Sequence, residues 1–540
     1  MSQKISNIRE KARNATLAKN FAKGMTLYQK VLKIDPNDEE ALLNVGLIYE
    51  LVGDRDNFIK HSADTFHRFS DNPKFITRMA AAEFKLGNFL SSYERLKNLQ
   101  LDQLSYDALM TACAASAALG REGESTLYAL EAIKLRPSDP LPHSNLGGGF
   151  MSLGKFEEAR ICFETALLLD PDSGQANTNM GVILSKQRKY EEAIQYAEKA
   201  LKIYEKTNNI DEIDKVKFHL SLGYLQCGNL EKGWAYYDNG LNIKDNSGRW
   251  PHRIFPVPQW KGEDIVGKTI MVWREQGLGD EIMFYSAIKY LYEKAEKIII
   301  ECDHRLQSIL QRSFPECIVR PQMMDKNNQS PFVDFDIHTP VGSLYSNIFT
   351  SIDRYSNIKP YLIPCAKLVE FYNQRLGPRD GKLRVGLSWR SGLLNPLRNR
   401  HYVPINEWGN VLELNNIQFV NIQYGDVSHE LEVVGNSFGV CVNNWPDLDL
   451  KNDQDALAAL LVNLDIVITI PNAVAQLAGA LGVKSLWMNV VPDPYQMGLI
   501  SKYPHFPNTE VYLPEGNLPV GSLLEDVIPR RILEIQNGIQ

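Results

Sequence analysis

The sequence lacks the features that mark secreted, membrane-spanning or nucleic-acid-binding proteins. Its 540 residues include seven cysteines, none of them in a CxxC pair. An odd number of isolated thiols argues against a disulfide framework and against a zinc site. No apolar run reaches the roughly 18 residues of a membrane helix, and residues 1–20 lack the apolar core of a signal peptide. The net charge of −7 provides no basic surface for nucleic acid. We therefore expect a cytoplasmic protein without a transmembrane segment or a nucleic-acid partner.

A repeat dominates the first half of the chain. Pro137 and Pro171 lie 34 residues apart, and each follows an apolar segment, as Pro36 does earlier. Proline ends a helix because it cannot continue one, and this period is typical of tetratricopeptide hairpins. The units that fit the pattern are 5–37, 39–73, 74–103, 104–138, 140–173, the segment directly after it, and 211–244. The pattern predicts about six or seven hairpins stacked into a solenoid with a concave face.

Three asparagines share one place in these units, two residues before the small residue of the first helix. Asn44, Asn145 and Asn179 are predicted to face the concave groove. A side-chain amide offers a donor and an acceptor, which suits an extended polypeptide of any sequence. The three residues resemble the asparagine ladder of O-GlcNAc transferase, which implies a polypeptide acceptor or partner protein in the groove. The alternative is that asparagine before Leu-Gly is a common feature of such repeats.

Beyond about residue 245, short apolar runs alternate with amphipathic stretches. The runs are 269–273, 297–303, 384–389, 416–422, 465–470 and 484–489. Buried strands separated by helices predict parallel α/β sheets. The runs fall into two blocks, 263–360 and 381–500, and ligands of such sheets bind beyond the carboxyl ends of the strands.

The predicted fold class is therefore α + α/β, with a tetratricopeptide-repeat α-solenoid followed by a double-Rossmann domain. The predicted parts are the solenoid 1–245, a turn-rich linker 246–262, the first Rossmann-like half 263–375, the second half 376–515, and a C-terminal helical segment 516–540.

A glycine loop follows the first predicted strand. Gly277 and Gly279 precede a predicted helix, and glycines there allow a tight turn and a close approach of a ligand to the backbone. Asp280 is predicted at the start of that helix. Its carboxylate could cap the helix or act as a general base, and the residues alone leave both roles open.

Four motifs in order give a specific resemblance. The stretches RIFPVPQWKGEDIVGKTIMVWREQGLGDEI, RVGLSWRSG, FVNIQYGDVSHELE and LDIVITIPNAVAQLAGALGVKSLWMN are similar to bacterial tetratricopeptide-repeat glycosyltransferases, relatives of the heptosyltransferases. The likeness covers about residues 140–500. It implies the glycosyltransferase B fold, with an acceptor side in the first half and a nucleotide-sugar side in the second. It also implies a nucleotide-sugar donor as substrate, no further cofactor and no essential metal.

The resemblance assigns roles to individual residues. Asp280 matches the acid proposed as the base in heptosyltransferases, and Glu281 is a second candidate. The donor site is matched by the glycine loop of the first half and, in the second half, by segments after strands and a basic loop. The residues are Gly277, Gly279, Ser388, Arg390, Ser391, Arg398, Arg400, Gln423, Glu430, Asn472, Ala473 and Gln476. Hydroxyls and a guanidinium suit a diphosphate, and the free amides at a helix start bind phosphate.

The sequence also departs from this family. Relatives carry Asp-Thr or Ser-Asn-Thr where this chain has Pro471 to Ala473, and a histidine where it has Gln476. Glutamine can donate a hydrogen bond but cannot carry charge. Three interpretations follow: a glycosyltransferase that recruits a polypeptide through its repeats, a non-catalytic scaffold with a degenerate transferase domain, and an enzyme acting on a glycan or lipid-linked sugar.

Overall fold

A computed structural model of the chain describes residues 2–245, 247–392, 401–516 and 518–538. Its contacts divide the chain into two compact units, Met1–Asn179 and Met180–Gln540. Each unit is described in turn.

The first unit consists of helical hairpins. Its helices are α1 Ser2–Leu17, α2 Phe21–Ile34, α3 Glu39–Leu51, α4 Arg55–Arg68, α5 Pro73–Lys85, α6 Phe89–Leu96, α7 Tyr106–Ala118, α8 Glu122–Leu135, α9 Pro140–Ser152 and α10 Phe156–Leu169, followed by the start of α11, Gly174–Lys186. Polar side chains cap several of them, as Asp38 does by accepting the Ala41 amide at 2.9 Å. A Cβ on Gly147 would lie 2.6 Å from the Phe163 ring, so small and large residues interlock between α9 and α10.

The helical region continues into the second unit. Three helices follow α11, namely α12 Tyr190–Thr207, α13 Ile210–Gln226 and α14 Leu230–Tyr237. Over residues 2–245, apart from short 3-10 turns, the structure therefore has fourteen helices in seven consecutive pairs, which confirms the predicted number of hairpins.

Two parallel sheets follow the helices. The first contains β1 Thr269–Trp273, β2 Lys297–Cys302, β3 Ile318–Pro321 and β4 Ile337–Pro340 in the order β3-β2-β1-β4. The second contains β5 Leu383–Ser388, β6 Ile417–Asn421, β7 Ile466–Thr469, β8 Ser485–Met488 and β9 Thr509–Tyr512 in the order β6-β5-β7-β8-β9. The sequence prediction located six of these strands and missed β3, β4 and β9, so the second block extends beyond residue 500.

Helices accompany both sheets. They are α15 Leu278–Phe284, α16 Gln307–Ser313, α17 Ser343–Ile348, α18 Ala366–Leu376, α19 Gly409–Leu412, α20 Ser428–Phe438, α21 Gln454–Leu461, α22 Ala473–Leu481 and α23 Val527–Gln536. In the part of the chain that the structure describes, no helix combines the length and the apolar character needed to cross a bilayer.

One hydrophobic core joins the last helical pair to the sheets. Leu225 on α13 and Trp234 on α14 are buried in the same cluster as Val272 of the first sheet and Val467 of the second. The end of the helical region is therefore part of the α/β structure and not a separate attachment.

The segment predicted as a linker carries a buried ion pair. Arg249 is completely buried, and its Nε donates to Glu275 Oε2 at 2.7 Å. The same guanidinium contacts Asp238 Oδ1 at 2.8 Å and Ser343 Oγ at 2.9 Å. Arg249 thereby connects the end of α14 to the carboxyl ends of β1 and β4.

Candidate functional site

Each sheet reverses its strand order once, and the predicted site segments follow the strands at those places. The reversal lies between β1 and β4 in the first sheet and between β5 and β7 in the second. Ligands of open parallel sheets bind beyond the carboxyl ends of the strands at such a reversal. Residues 277–281 follow β1, residues 388–391 lie at the end of β5, and residues 471–476 follow β7. The predicted segments therefore meet this topological requirement.

Three of the predicted donor residues form one hydrogen-bond network. Asn472 Nδ2 donates to Ser388 Oγ at 3.0 Å, and Ser388 Oγ donates to Gln423 Oε1 at 3.3 Å. The same glutamine oxygen accepts the backbone N–H groups of Trp389 and Arg390 at 3.0 and 2.9 Å. Gln423 follows β6 and is fully buried. Its hydrogen bonds therefore hold the loops after β5 and β6 together.

Arg390 and Glu430, both predicted to bind the donor, pair with each other. Arg390 Nη2 lies 2.8 Å from Glu430 Oε2, and Trp389 Nε1 donates to Glu430 Oε1 at 2.7 Å. Burial would raise the pKa of Glu430, but the hydrogen bonds from Arg390 and Trp389 lower it. The charge of Arg390 is thus balanced locally, which weakens its attraction for a diphosphate.

Three further predicted donor residues are Ser391, Arg398 and Arg400, and the structure describes only Ser391 among them. Tyr424 places its hydroxyl 3.4 Å from Ser391 Oγ and accepts the Gly392 backbone N–H at 2.8 Å. Arg398 and Arg400 fall within residues 393–400, outside the described residues, and their roles stay predictions.

The first turn of α22 provides the helix start predicted to bind phosphate. Asn472 caps the helix by accepting the Ala475 amide at 3.0 Å, and Ala473 is its first residue. Gln476 Nε2 donates to the Tyr503 hydroxyl at 3.5 Å. Among the described residues Gln476 Oε1 is a buried acceptor without a hydrogen-bond partner. Buried polar atoms in this state are uncommon in folded proteins.

The glycine loop packs directly on α22. A Cβ on Gly279 would lie 3.2 Å from Gln476 Cγ and 3.5 Å from Ala473 Cα. The sequence predicts that this glycine admits a ligand to the backbone, whereas in the structure it admits the close approach of α15 to α22. Gly277 is the N-cap of α15, with an ordinary φ of −85°. The two predicted halves of the site therefore meet at these two helix starts.

Asp280 occupies the third position of α15. Its Oδ2 accepts the Gly277 backbone N–H at 3.1 Å, so the capping role is present. This bond leaves the base role open, because one carboxylate can accept several hydrogen bonds.

Glu281 is enclosed in a buried network. Its Oε1 accepts the Asp303 amide at 2.7 Å, and Arg274 Nε lies 3.0 Å from Oε2. Burial raises the pKa of Glu281 to about 7, although Arg274 and the Asp303 amide oppose the rise. The side chain is completely buried. These surroundings favour a structural role, joining the ends of β1 and β2, over the catalytic role predicted for it.

The three asparagines lie on the first helices of their pairs in half-buried positions. Asn44 Nδ2 donates to Glu40 O within α3 at 2.8 Å. Asn145 Oδ1 accepts from Gln175 Nε2 at 3.4 Å. Part of the hydrogen-bonding capacity of Asn44 and Asn145 is therefore used within the helical region.

The sequence pattern did not point to Asp493, whose pKa is raised to about 7 mainly by burial and further by the charge of Asp280. Asp493 begins a short helical turn, Pro494–Gln496, in which its side chain accepts the Tyr495 amide at 2.8 Å. Gln496 Oε1 in turn accepts the Asp493 amide at 2.7 Å. An acidic residue followed three positions later by glutamine is a capping signature, so the turn was detectable in the sequence, but the surroundings that raise the pKa of Asp493 were not.

Comparison with known proteins identifies the repeats. A family model described as tetratricopeptide repeat matches residues 141–206. The chain is 26% identical over 409 residues to Protein FlbA of Caulobacter vibrioides, covering 74% of this chain and 68% of FlbA. It is 27% identical over 145 residues to the aspartyl/asparaginyl beta-hydroxylase of Mus musculus, covering 27% of this chain. It spans only 19% of that hydroxylase. The N-terminal region thus contains tetratricopeptide repeats.

Solved structures give weaker matches. The Cut9-Hcn1 hetero-tetramer of the APC/C is 16% identical with a TM-score of 0.35, covering 43% of this chain and 45% of that chain. YrrB, a tetratricopeptide-repeat protein with an unusual peptide-binding site, is 15% identical with a TM-score of 0.28, covering 33% and 91%.

Proposed function

We propose that the protein is a glycosyltransferase that moves a sugar from a nucleotide-sugar donor to an acceptor hydroxyl. In this proposal the two parallel sheets are the two halves of a glycosyltransferase B domain. One observation carries it: the glycine loop after β1 and the start of α22 after β7 meet through Gly279, Ala473 and Gln476. Donor-site residues predicted from two separate motifs are thereby adjacent, and the proposed base Asp280 directly follows Gly279.

The proposed chemistry follows from this arrangement. The amides and the positive dipole end of α22 hold the donor diphosphate. The acceptor oxygen attacks the sugar while its proton passes to Asp280, and the bond from the sugar to the diphosphate breaks. No step of this scheme requires a metal ion.

The donor site is tested by calorimetry with UDP, GDP, ADP and dTDP. We expect one of them to bind, and we expect Arg400→Ala to weaken its binding by about 1.5–3 kcal/mol, the loss of a charged hydrogen bond. Arg530→Ala, on the exposed face of α23, is the matched control and should bind like the wild type. If none of the four nucleotides binds the wild-type protein, the donor site is wrong.

The acceptor is proposed to be a polypeptide held by the repeats. Replacing Asn44, Asn145 and Asn179 together by alanine should reduce kcat/KM for a protein acceptor about tenfold, because each amide loses a modest net hydrogen bond. Nucleotide binding should not change. Asn177 stays unchanged in this variant, because it is buried and its Nδ2 donates to Pro171 O at 3.1 Å. Unchanged acceptor kinetics in the triple variant would reduce the asparagines to a feature of the repeat.

A second candidate function is a non-catalytic scaffold. The pairing of Arg390 with Glu430 favours this alternative. So does Gln423, whose side-chain oxygen already accepts the Trp389 amide at the end of β5. Both remove polar groups that a donor would otherwise use. A wild-type protein that binds partner proteins but no nucleotide would support this alternative.

A further inference from the structure

The residue before the glycine loop has a strained backbone conformation. Gln276 has a φ of 59°, in the left-handed region. A residue with a Cβ is unfavourable there, and glycine is the usual occupant. Because Gly277 and Gly279 follow directly, the backbone angles of Gln276 set the direction in which the glycine loop continues. Strained residues of this kind persist only where the surrounding structure holds them, and they are concentrated at functional sites.

Two hydrogen bonds hold Gln276 in this conformation. Its backbone N–H donates to Trp250 O at 2.7 Å, and its side-chain Nε2 donates to the Tyr237 hydroxyl at 2.9 Å. The preceding residue is fixed as well, because Glu275 Oε2 accepts from Arg249 Nε at 2.7 Å. All three of these partners lie in residues 237–250, at the end of the helical region and directly after it. The start of the glycine loop is therefore held by residues that belong to neither sheet.

Tyr237, the last residue of α14, contacts loops of both sheets. It is completely buried, and its ring lies 5.1 Å from the Trp234 ring in an edge-on arrangement. Besides accepting from Gln276, its hydroxyl lies 2.8 Å from the Tyr495 hydroxyl, in the turn after β8. The glycine loop follows β1 of the first sheet and this turn follows β8 of the second. One hydroxyl group thus joins a loop of each sheet.

The end of α13 holds the turn after β8 a second time. Gln226 Nε2 donates to Pro492 O at 3.1 Å. A Cβ on Gly228, which has a φ of 76°, would lie 3.2 Å from Met497 O. The last helical pair therefore packs tightly on residues 492–497, and Tyr237 acts from a fixed position.

We propose that Tyr237 is a positioning residue for sugar transfer, which keeps Gln276 in the left-handed conformation and thereby fixes the glycine loop that leads to Asp280. This inference rests on the proposed function. In this role Tyr237 exchanges no proton and acts only through Gln276. It sets the fraction of molecules in which the loop has the conformation needed for transfer. Since Tyr237 belongs to α14, the last helical pair is part of the transfer site.

Removing the Tyr237 hydroxyl tests this role. Tyr237→Phe keeps the buried ring and removes the acceptor of Gln276. We expect kcat for sugar transfer to fall about three- to tenfold, the equivalent of one ordinary hydrogen bond, while the Kd of the nucleoside diphosphate stays within about twofold. Gln276→Ala removes the same bond from the other partner and should lower kcat similarly. The double variant should be about as slow as Tyr237→Phe alone, because the two changes remove one shared interaction.

Gln276→Gly separates the backbone conformation from the side-chain bond. Glycine adopts a positive φ without steric cost, so Gln276→Gly should retain a higher kcat than Gln276→Ala, although both lack the bond to Tyr237. Tyr512→Phe is the matched control. Its hydroxyl donates to Glu510 Oε2 at 2.5 Å within β9, and this variant should transfer sugar like the wild type.

Three kinetic results would overturn the role of Tyr237. They are a wild-type kcat in Tyr237→Phe, effects of Tyr237→Phe and Gln276→Ala that multiply in the double variant, and a Gln276→Gly variant slower than Gln276→Ala.

Amide hydrogen exchange provides a readout that needs no activity. Residues 276–281 include the Gln276 N–H bonded to Trp250 O, and local opening of the loop exposes it to exchange. In Tyr237→Phe, exchange should rise at least about threefold at residues 276–281 and at residues 495–496, relative to residues 297–302 of β2, because the lost hydroxyl served both loops. In Gln276→Ala only residues 276–281 should respond, since the contact between Tyr237 and Tyr495 remains. Unchanged exchange at residues 276–281 in both variants would overturn the proposal.

The two readouts separate this proposal from the proposed function. If exchange responds as expected but no nucleotide binds the wild type, the proposed function is wrong, and Tyr237 is an anchor of the loop without a part in transfer. If sugar is transferred and Tyr237→Phe is as fast as the wild type, the role of Tyr237 is wrong and the transferase stands.

Discussion

Asp280→Asn should lower the rate of sugar transfer by a factor of about 10²–10⁴ while nucleotide affinity and thermal stability stay near wild type. A hydroxyl is a poor nucleophile until its proton is being removed, and a positioned base typically contributes a factor of this size. Asparagine retains an oxygen that can accept the Gly277 amide, the cap seen at 3.1 Å. It is far less basic than a carboxylate, so the substitution separates the two roles.

The matched control is Asp453→Asn. Asp453 caps α21 by accepting the Ala456 amide at 2.9 Å, and asparagine caps a helix about as well as aspartate. Transfer kinetics and thermal unfolding are measured for both variants. Wild-type turnover in Asp280→Asn would exclude the base role. The buried network around Glu281 makes that residue a poor substitute.

The sequence predicted the architecture well where the pattern was long. Repeats with a fixed period and prolines at the helix ends predicted about six or seven helical pairs, and seven are present over residues 2–245. Six apolar runs predicted six strands. The missed strands β3, β4 and β9 have four residues each. The equally short β7 and β8 were found because they read IVIT and SLWM and lie in longer, mostly apolar runs. The missed strands read IVRP, IHTP and TEVY, so proline, charged and polar residues interrupt the apolar pattern. They are strands because parallel neighbours supply their hydrogen bonds.

Individual roles were less predictable than positions. Ser388, Gln423 and Asn472 do lie together, as their places after neighbouring strands require. Their mutual hydrogen bonds, however, depend on distances between segments that sequence spacing does not give. Gly279 illustrates the same limit, since any close approach requires a glycine, and only the structure shows that the neighbour is α22.

Arg249→Met should cost about 3–5 kcal/mol of unfolding free energy for the second unit. Removing one partner of a buried ion pair leaves the other charge unpaired, and both Arg249 and Glu275 are completely buried. The loss should exceed that of any exposed pair, such as Arg530 with Asp526, for which Arg530→Met should cost less than about 1 kcal/mol. All eight tryptophans lie after residue 179, so tryptophan fluorescence in urea follows this unit alone.

The loss of unfolding free energy in Arg249→Met relative to the wild type should also depend on pH. Burial would raise the pKa of Asp238, but Arg249, Ser343 and Lys261 outweigh it and lower the pKa to about 2. A lowered carboxyl pKa stabilises the fold above the unfolded value near 4, and that stability is lost as the pH falls towards 2. Arg249→Met lacks much of the stability that Arg249 gives the ionised Asp238. The difference in unfolding free energy between the variant and the wild type should therefore shrink as the pH falls from about 5 to about 3. Adding Glu275→Gln removes the unpaired charge and should restore part of the loss at pH 7. A deficit below about 1 kcal/mol, unaltered by pH, would show that Arg249 does not hold α14 against the first sheet.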